Sequence, residues 1–228
     1  MSTIAIITAR GGSKRIPRKN IKDFCGMPII AYSIKAALES GIFDHVMVST
    51  DDEEIAQIAR EYGAEVPFMR SAKTASDFAT TRDVLEEVLQ KYAEMGESIE
   101  YFSCIYPCAP FVSAQKLKDA FTLLKEKEAY GVMPVIRFSY PPQRCYVIND
   151  YRLTFKYPEY YNSRTQDLEP YYHDCGQFYF YKKSAFDQGN EKVFERLLPI
   201  YMSDMEVQDI DNDTDWKIAE IKYSFLNK

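Results

Sequence analysis

The sequence predicts an α/β fold, a doubly wound and mostly parallel sheet that carries an inserted β-hairpin arm. Three observations predict it. Short apolar runs alternate with stretches of helical periodicity through the first 137 residues, which is the pattern of consecutive βαβ units with right-handed crossovers. The first apolar run passes directly into a loop rich in glycine and cations, where α/β folds place ligands. After residue 138 the pattern breaks into a tyrosine-rich stretch, which reads as an insertion. A length of 228 residues fits a single domain spanning 1–228, with the arm at about 138–173.

The elements follow in order. Residues 3–9 are an apolar, β-branched strand. Pro28 suits the first turn of a helix whose apolar stripe is Ile29, Ile30, Ile34 and Leu38, closed by Gly41. His45–Thr50 is a strand, and Thr50-Asp51-Asp52-Glu53 has capping-box spacing ahead of a helix that turns Ile55, Ile58, Ala59 and Tyr62 inward. Residues 65–69 form a short strand. Val84, Leu85, Val88, Leu89 and Tyr92 mark the next helix, and Tyr101–Tyr106 the next strand. Leu117, Phe121 and Leu124 stripe a helix before the strand Val132–Ile136. Residues 145–157 alternate around Asn149-Asp150 as a hairpin. Gly176–Tyr181 returns to strand character, and 216–226 is a final helix. There are no internal repeats.

Composition narrows the class of function. A net charge of −6 lacks the broad basic face of a nucleic-acid binder, so positive charge is local, as at a small-anion site. No apolar segment is long enough for a membrane span or signal peptide, and a cytoplasmic protein is expected. The five cysteines are scattered without a CxxC pair, which argues against a zinc framework or a disulfide scaffold. Cys104 and Cys108 read as small apolar fillers. Eighteen tyrosines, many between 140 and 181, point to an exposed interface.

The chemistry concentrates in two places. Between residues 10 and 20 stand Gly11, Gly12, Ser13, Asn20 and five cations. Such a loop either lies idle in solvent or receives a polyanion, of which a nucleoside triphosphate is the obvious case. The amides of Gly11, Gly12 and Ser13 are placed to cradle phosphate oxygens, and Arg10 and Lys19 to neutralise a departing pyrophosphate. The spacing is neither a Walker A loop nor Gly-x-Gly-x-x-Gly. The second place is Asp209-Ile210-Asp211-Asn212-Asp213-Thr214-Asp215. Alternate residues of an extended chain share a face, so Asp209 and Asp211 can hold Mg²⁺ against phosphate. Asp213 and Asp215 suit the turn and cap of the last helix.

Ala9-Arg10-Gly11-Gly12-Ser13-Lys14-Arg15-Ile16-Pro17-Arg18-Lys19-Asn20 resembles the signature of the CMP-sialic acid synthetase family, cytidylyltransferases that activate nine-carbon acidic sugars. Ser49-Thr50-Asp51-Asp52, Tyr62 to Arg70, Asp167-Leu168 after Arg164, and Asp209-Ile210-Asp211 are also similar to it. CMP-Kdo synthetases are more distant. Where sialic acid enzymes carry Leu-Gln-Pro-Thr-Ser-Pro, this chain reads Ile105-Tyr106-Pro107-Cys108-Ala109-Pro110. With Arg137 to Arg144 and Asp174 to Tyr179, that departure resembles the branch acting on pseudaminic acid rather than sialic or legionaminic acid.

The resemblance implies a nucleotidyltransferase-like Rossmann variant that joins CTP to the acidic sugar and releases pyrophosphate. It implies that Ala9, Arg10, Gly11, Gly12, Ser13, Lys19 and Asn20 hold the triphosphate and ribose, with Arg70, Asp77 and Thr80 toward the base. Tyr106, Arg144, Arg164, Gln177 and Tyr179 would meet the sugar, Asp209 and Asp211 the Mg²⁺, and Arg10, Lys19 and Asp211 would carry catalysis. Arg144 has a second reading as an arm surface residue, and Tyr179 as core. His45 reads as structural, and His173 lies toward the sugar side. A homodimer is expected in which the arm completes the partner's sugar pocket. Two other classes compete: a nucleotide-sugar glycosyltransferase, whose Asp-x-Asp normally follows a mid-chain strand, and a non-catalytic nucleotide-binding protein.

Overall fold

The computed structural model describes residues 2–13 and 15–227, so Lys14 of the first motif lies outside the described residues. Strand β1 (Ser2–Thr8) enters the first loop, which a two-residue hairpin, β2 (Asp23–Phe24) and β3 (Met27–Pro28), hands to α1 (Ile29–Ser40). Next come β4 (His45–Ser49), α2 (Glu53–Glu61), α3 (Ala72–Ala75), α4 (Thr81–Glu94), β5 (Ile99–Ile105), α5 (Ala114–Glu126) and β6 (Gly131–Arg137). The arm holds β7 (Tyr146–Asn149) and β8 (Arg152–Phe155). The chain returns through β9 (Tyr172–Asp174), β10 (Phe178–Lys182), α6 (Lys183–Phe186), α7 (Asn190–Phe194), β11 (Leu197–Tyr201) and α8 (Asp213–Leu226). No helix among the described residues is long and apolar enough to cross a membrane.

The expected doubly wound α/β sheet is present, in the order β11-β6-β10-β5-β1-β4 with β9 paired to β6. Strand β1 runs parallel to β4 and β5, and β11 parallel to β6. Strand β10 runs against both β5 and β6, and β9 against β6. Side chains along β1 alternate between the two faces. Ala5 and Ile7 join Ile30, Ile34, Ile55 and Leu117 on one side, and Ile4 and Ile6 join Leu85, Val88 and Tyr92 on the other. The first motif lies at the carboxyl end of β1, where such sheets form their crevice.

A third cluster decides where the chain's two ends go. Ile16 of the first loop packs with Phe24, Phe111, Ile210 and Trp216. Ile210 is 2% exposed, and burying such a side chain contributes about 1.5–3 kcal/mol. That burial draws the late aspartates against the early loop.

Several local expectations change. Leu38 is 42% exposed and leaves the stripe of α1. Asp52 caps α2 by accepting from the Ile55 amide, while the Thr50 hydroxyl accepts from the Asp52 amide instead. Residues 65–69 make only a bridge between Glu65 and Met47, because Pro67 has no N–H to extend a ladder. The final helix starts at Asp213, capped by Asn212 with Asp215 closing the box. Strand β11 and the short α6 and α7 arise in sequence that reads as neither alternation nor a full helical stripe. The hairpin stands where expected, turning through Asp150 and Tyr151, both at positive φ.

Candidate nucleotide-transfer site

A cleft of about 590 Å³ opens over the ends of β1 and β5. Arg10, Ser13, Arg15, Lys19 and Asn20 line it from the first loop; Arg70, Asp77 and Thr80 from the segment before α4; Tyr106 and Cys108 from the turn after β5; and Asp209 from the late segment. The Lys19 Nζ donates to the Ile210 carbonyl at 2.7 Å, and Arg15 pairs with Asp211 at 2.6 Å. The two motifs, nearly the length of the chain apart, therefore share one cleft.

The first loop is braced from behind. Gly11 donates its N–H to Asp51 Oδ1 at 3.0 Å, and Arg18, at a φ of 54°, pairs with Asp52 and Glu54. A Cβ on Gly11 would stand 2.7 Å from Asp52 Oδ2, so this position needs glycine for close approach rather than for an unusual φ. Next to Gly12 such an atom meets nothing within 4 Å. Arg18 holds the Asp52 carboxyl below the usual carboxylate range. The Ser13 amide donates to the Gly11 carbonyl at 3.1 Å. Of the three amides expected to cradle phosphate, those of Gly11 and Ser13 have acceptors within the protein in this structure.

Asn20 is buried and spans the loop, its Nδ2 donating to the Arg10 carbonyl and its Oδ1 accepting from the Cys108 thiol. Cys108 therefore belongs to the cleft wall rather than to passive filling, and burial pushes its thiol up to about 12. Ala9 is fully buried and contributes core. Arg10 pairs with Asp77 at 2.9 Å. Arg70 clamps Ser49, with Nη2 on its carbonyl at 2.6 Å and Nε on its hydroxyl at 3.1 Å. Burial lowers the Arg70 pKa, but an arginine remains charged. Thr80 caps α4 in a box with Asp83.

The sugar-side residues divide. Tyr106 lines the cleft, and Tyr179 packs against it at 5.4 Å between ring centroids. Gln177 does not face an opening: it is 2% exposed and donates to the Glu206 carbonyl. Arg144 and Arg164 lie on the arm away from the cleft, reaching Thr165 and Asp167. His45 bonds Glu65, as a structural residue should. A second cavity of about 460 Å³ adjoins the first through shared Gly176 and Asp209, and His173 and Asp174 line it. Sequence reasoning gave Asp174 no role of its own; its place two residues before Gly176, at a φ of 62°, is the only local signal.

Among the described residues no group of three His, Cys, Asp or Glu side chains converges as a metal centre. Asp209 and Asp211 flank buried Ile210, so their carboxylates emerge on the opposite side, although Asp211 turns to Arg15 and does not line the cleft. Two carboxylates suit Mg²⁺, which takes its remaining ligands from water and substrate phosphate.

Residues 4–221 match the cytidylyltransferase family. The chain is 38% identical over 225 residues to the pseudaminic acid cytidylyltransferase of Campylobacter jejuni, covering 98% of this chain and 97% of that protein. It is 31% identical to the CMP-N,N'-diacetyllegionaminic acid synthase of Legionella pneumophila, covering 96% and 95%. Among solved structures, a CMP:2-keto-3-deoxy-manno-octonic acid synthetase complexed with CTP superposes with a TM-score of 0.71 at 17% identity, over 98% of this chain and 99% of that one, a likeness of fold. The chain belongs to the cytidylyltransferase family.

Proposed function

We propose that this protein transfers the cytidylyl group of CTP to a nine-carbon acidic sugar, pseudaminic acid in preference to legionaminic or sialic acid, yielding the CMP-sugar and pyrophosphate. The observation that carries the reading is the Lys19–Ile210 contact, which closes a cationic loop and an acidic segment around one cleft in a chain of this family. The preference for pseudaminic acid rests on the Campylobacter relative.

The anomeric hydroxyl of the sugar attacks the α-phosphorus in line. Its oxygen forms the new P–O bond, the α–β anhydride bond breaks, pyrophosphate leaves, and the hydroxyl proton is released. Such chemistry is accelerated by positioning and charge neutralisation. Arg10, Arg15 and Lys19 supply fixed positive charge along the triphosphate. Arg10 and Arg15 exchange their carboxylate partners, Asp77 and Asp211, for the phosphates of the substrate. Asp209 and Asp211 would hold Mg²⁺, which when bound clamps the phosphates and draws electron density from the reacting oxygens. The second cavity, continuous with the cleft at Gly176 and Asp209, gives the sugar its approach to the α-phosphate.

The protein acts in the cytoplasm, where CTP is made available to it. The arm supports a homodimer: its Ile148 and Tyr151 are 72% and 104% exposed, apolar surface that a partner could cover. Arg144 and Arg164 would then act across the dimer, in the partner's site. The deciding experiment offers CTP and Mg²⁺ with pseudaminic, legionaminic, sialic and Kdo sugars and measures pyrophosphate. Release with pseudaminic acid well above the others supports the reading; none with any acidic sugar refutes it, and preference for legionaminic acid transfers the assignment to that substrate.

A further inference from the structure

The mechanism leaves one arrangement unused. At the junction of the two cavities the strand facing β6 is interrupted: β9 ends at Asp174, and β10 begins at Phe178. The Asp174 carboxylate spans the gap. Its Oδ1 accepts from the Gly176 N–H at 2.8 Å, and its Oδ2 accepts from the Tyr179 hydroxyl at 2.6 Å. The Tyr179 ring packs against that of Tyr106, inclined at 59°. The Tyr106 backbone is held on both sides, its N–H donating to the Gln177 carbonyl and its carbonyl accepting from the Ser33 hydroxyl, each at 2.8 Å. Tyr106 therefore retains only side-chain rotation, and Tyr179 blocks that rotation on one side.

We propose that Asp174 is a positioning residue for the acidic sugar: through the Tyr179 hydroxyl it fixes the Tyr106 ring at the junction of the two cavities, and that fixed wall discriminates among sugar acceptors. The inference rests on the cytidylyl-transfer reading above. A sugar entering from the second cavity must pass Gly176 and Asp209 to reach a nucleotide in the cleft, and Tyr106, which lines the cleft, is bonded through its N–H to Gln177, the neighbour of Gly176. Burial pushes the Tyr179 and Tyr106 phenols up, so both remain protonated through the neutral range and Tyr179 stays a donor to the carboxylate. With the tether cut, the Tyr179 ring keeps its apolar packing but loses its fixed orientation, and Tyr106 gains rotational freedom that sugar binding must then remove.

The experiment compares Tyr179→Phe, Asp174→Ala and Asp174→Asn with the wild type in the full-length protein. It measures KM for the sugar, kcat/KM for pseudaminic against legionaminic acid, and the CTP dissociation constant by calorimetry without sugar. In Tyr179→Phe and Asp174→Ala the sugar KM rises about tenfold, the scale of one lost charge-assisted hydrogen bond. The ratio between the two sugars narrows, while CTP affinity stays within about twofold. Asp174→Asn keeps a carbonyl oxygen to accept from Tyr179 and lies closer to the wild type than Asp174→Ala. Unchanged sugar KM and unchanged ratio overturn the proposal, as does a loss of CTP affinity equal to the rise in sugar KM, which marks general damage to the wall. Should Asp174→Ala fail to fold, Tyr179→Phe decides alone, since it removes a single oxygen atom. A wild type that binds CTP yet turns over no acidic sugar overturns both the function and this inference; an active wild type with unaltered variants overturns this inference only.

Discussion

Replacing Gly11 by alanine tests whether the first loop is held rigidly against α2. The new Cβ would lie 2.7 Å from Oδ2, 3.0 Å from Cβ and 3.2 Å from Cγ of Asp52, three contacts inside ordinary van der Waals separation. Asp52 has little freedom to yield. Its Oδ1 caps α2 by accepting from the Ile55 amide at 3.0 Å, and Arg18 engages the same carboxylate. Giving up the cap costs about 1 kcal/mol, and the half-exposed ion pair contributes at most about 1 kcal/mol more. The strain is thus about 1–2 kcal/mol whichever side moves, within the range for overpacking. Urea unfolding of Gly11→Ala should show that loss. If the loop moves rather than Asp52, Arg10 and Ser13 shift with it, and calorimetric CTP affinity falls about tenfold for each 1.4 kcal/mol. Gly12→Ala supplies the control for stability: its Cβ enters open space, and the unfolding free energy should stay within about 0.5 kcal/mol of the wild type. A Gly11→Ala protein as stable as the wild type would refute the argument that Asp52 is pinned.

Three further outcomes are expected. Lys19→Met removes both a cation from the cleft and the bond to the Ile210 carbonyl; at about 1.5–3 kcal/mol for a charged hydrogen bond, kcat/KM in a pyrophosphate assay should fall at least tenfold, and an undiminished rate would detach the two motifs from each other. Asp209→Asn should raise the Mg²⁺ concentration needed for half-maximal rate, whereas Asp213→Asn, at an exposed carboxylate 3.6 Å from Lys22, should not; equal effects would count against the metal assignment. The pH dependence follows from Asp52, whose pKa lies lower in the folded protein than in the unfolded chain. Its stabilising contribution is fully present above the unfolded aspartate value near about 4 and is lost as pH falls through the folded value. The stability gap between wild type and Asp52→Asn, followed by denaturant unfolding across pH, should therefore close in acid; a gap that widens there would reverse the sign of the argument.

How much was legible in the sequence depends on whether a signal is local. Strand β1, the helices bearing Ile34, Val88 and Leu117, the hairpin at Asn149-Asp150 and the glycine-cation loop all declare themselves within a few residues, because periodicity and turn chemistry act over that range. The likeness of the first motif to a known signature was equally local. The short β11 carries no such signal, since it is stabilised by pairing with β6 rather than by its own pattern.

Residue types and their spacing by themselves determined that the chain would form a layered α/β domain and would gather charge for a triphosphate. Only the tertiary structure decided which of those charges meet. Burial of Ile16 and Ile210 in one cluster carries Asp209 to the cleft and turns Lys19 toward it. Elsewhere the fold withdraws Gln177 into the interior, gives the Gly11 amide to Asp51, and leaves Arg144 and Arg164 on the arm. A side chain's partner is set by what the rest of the chain brings within about 3 Å of it, and that information is not contained in any short window of sequence.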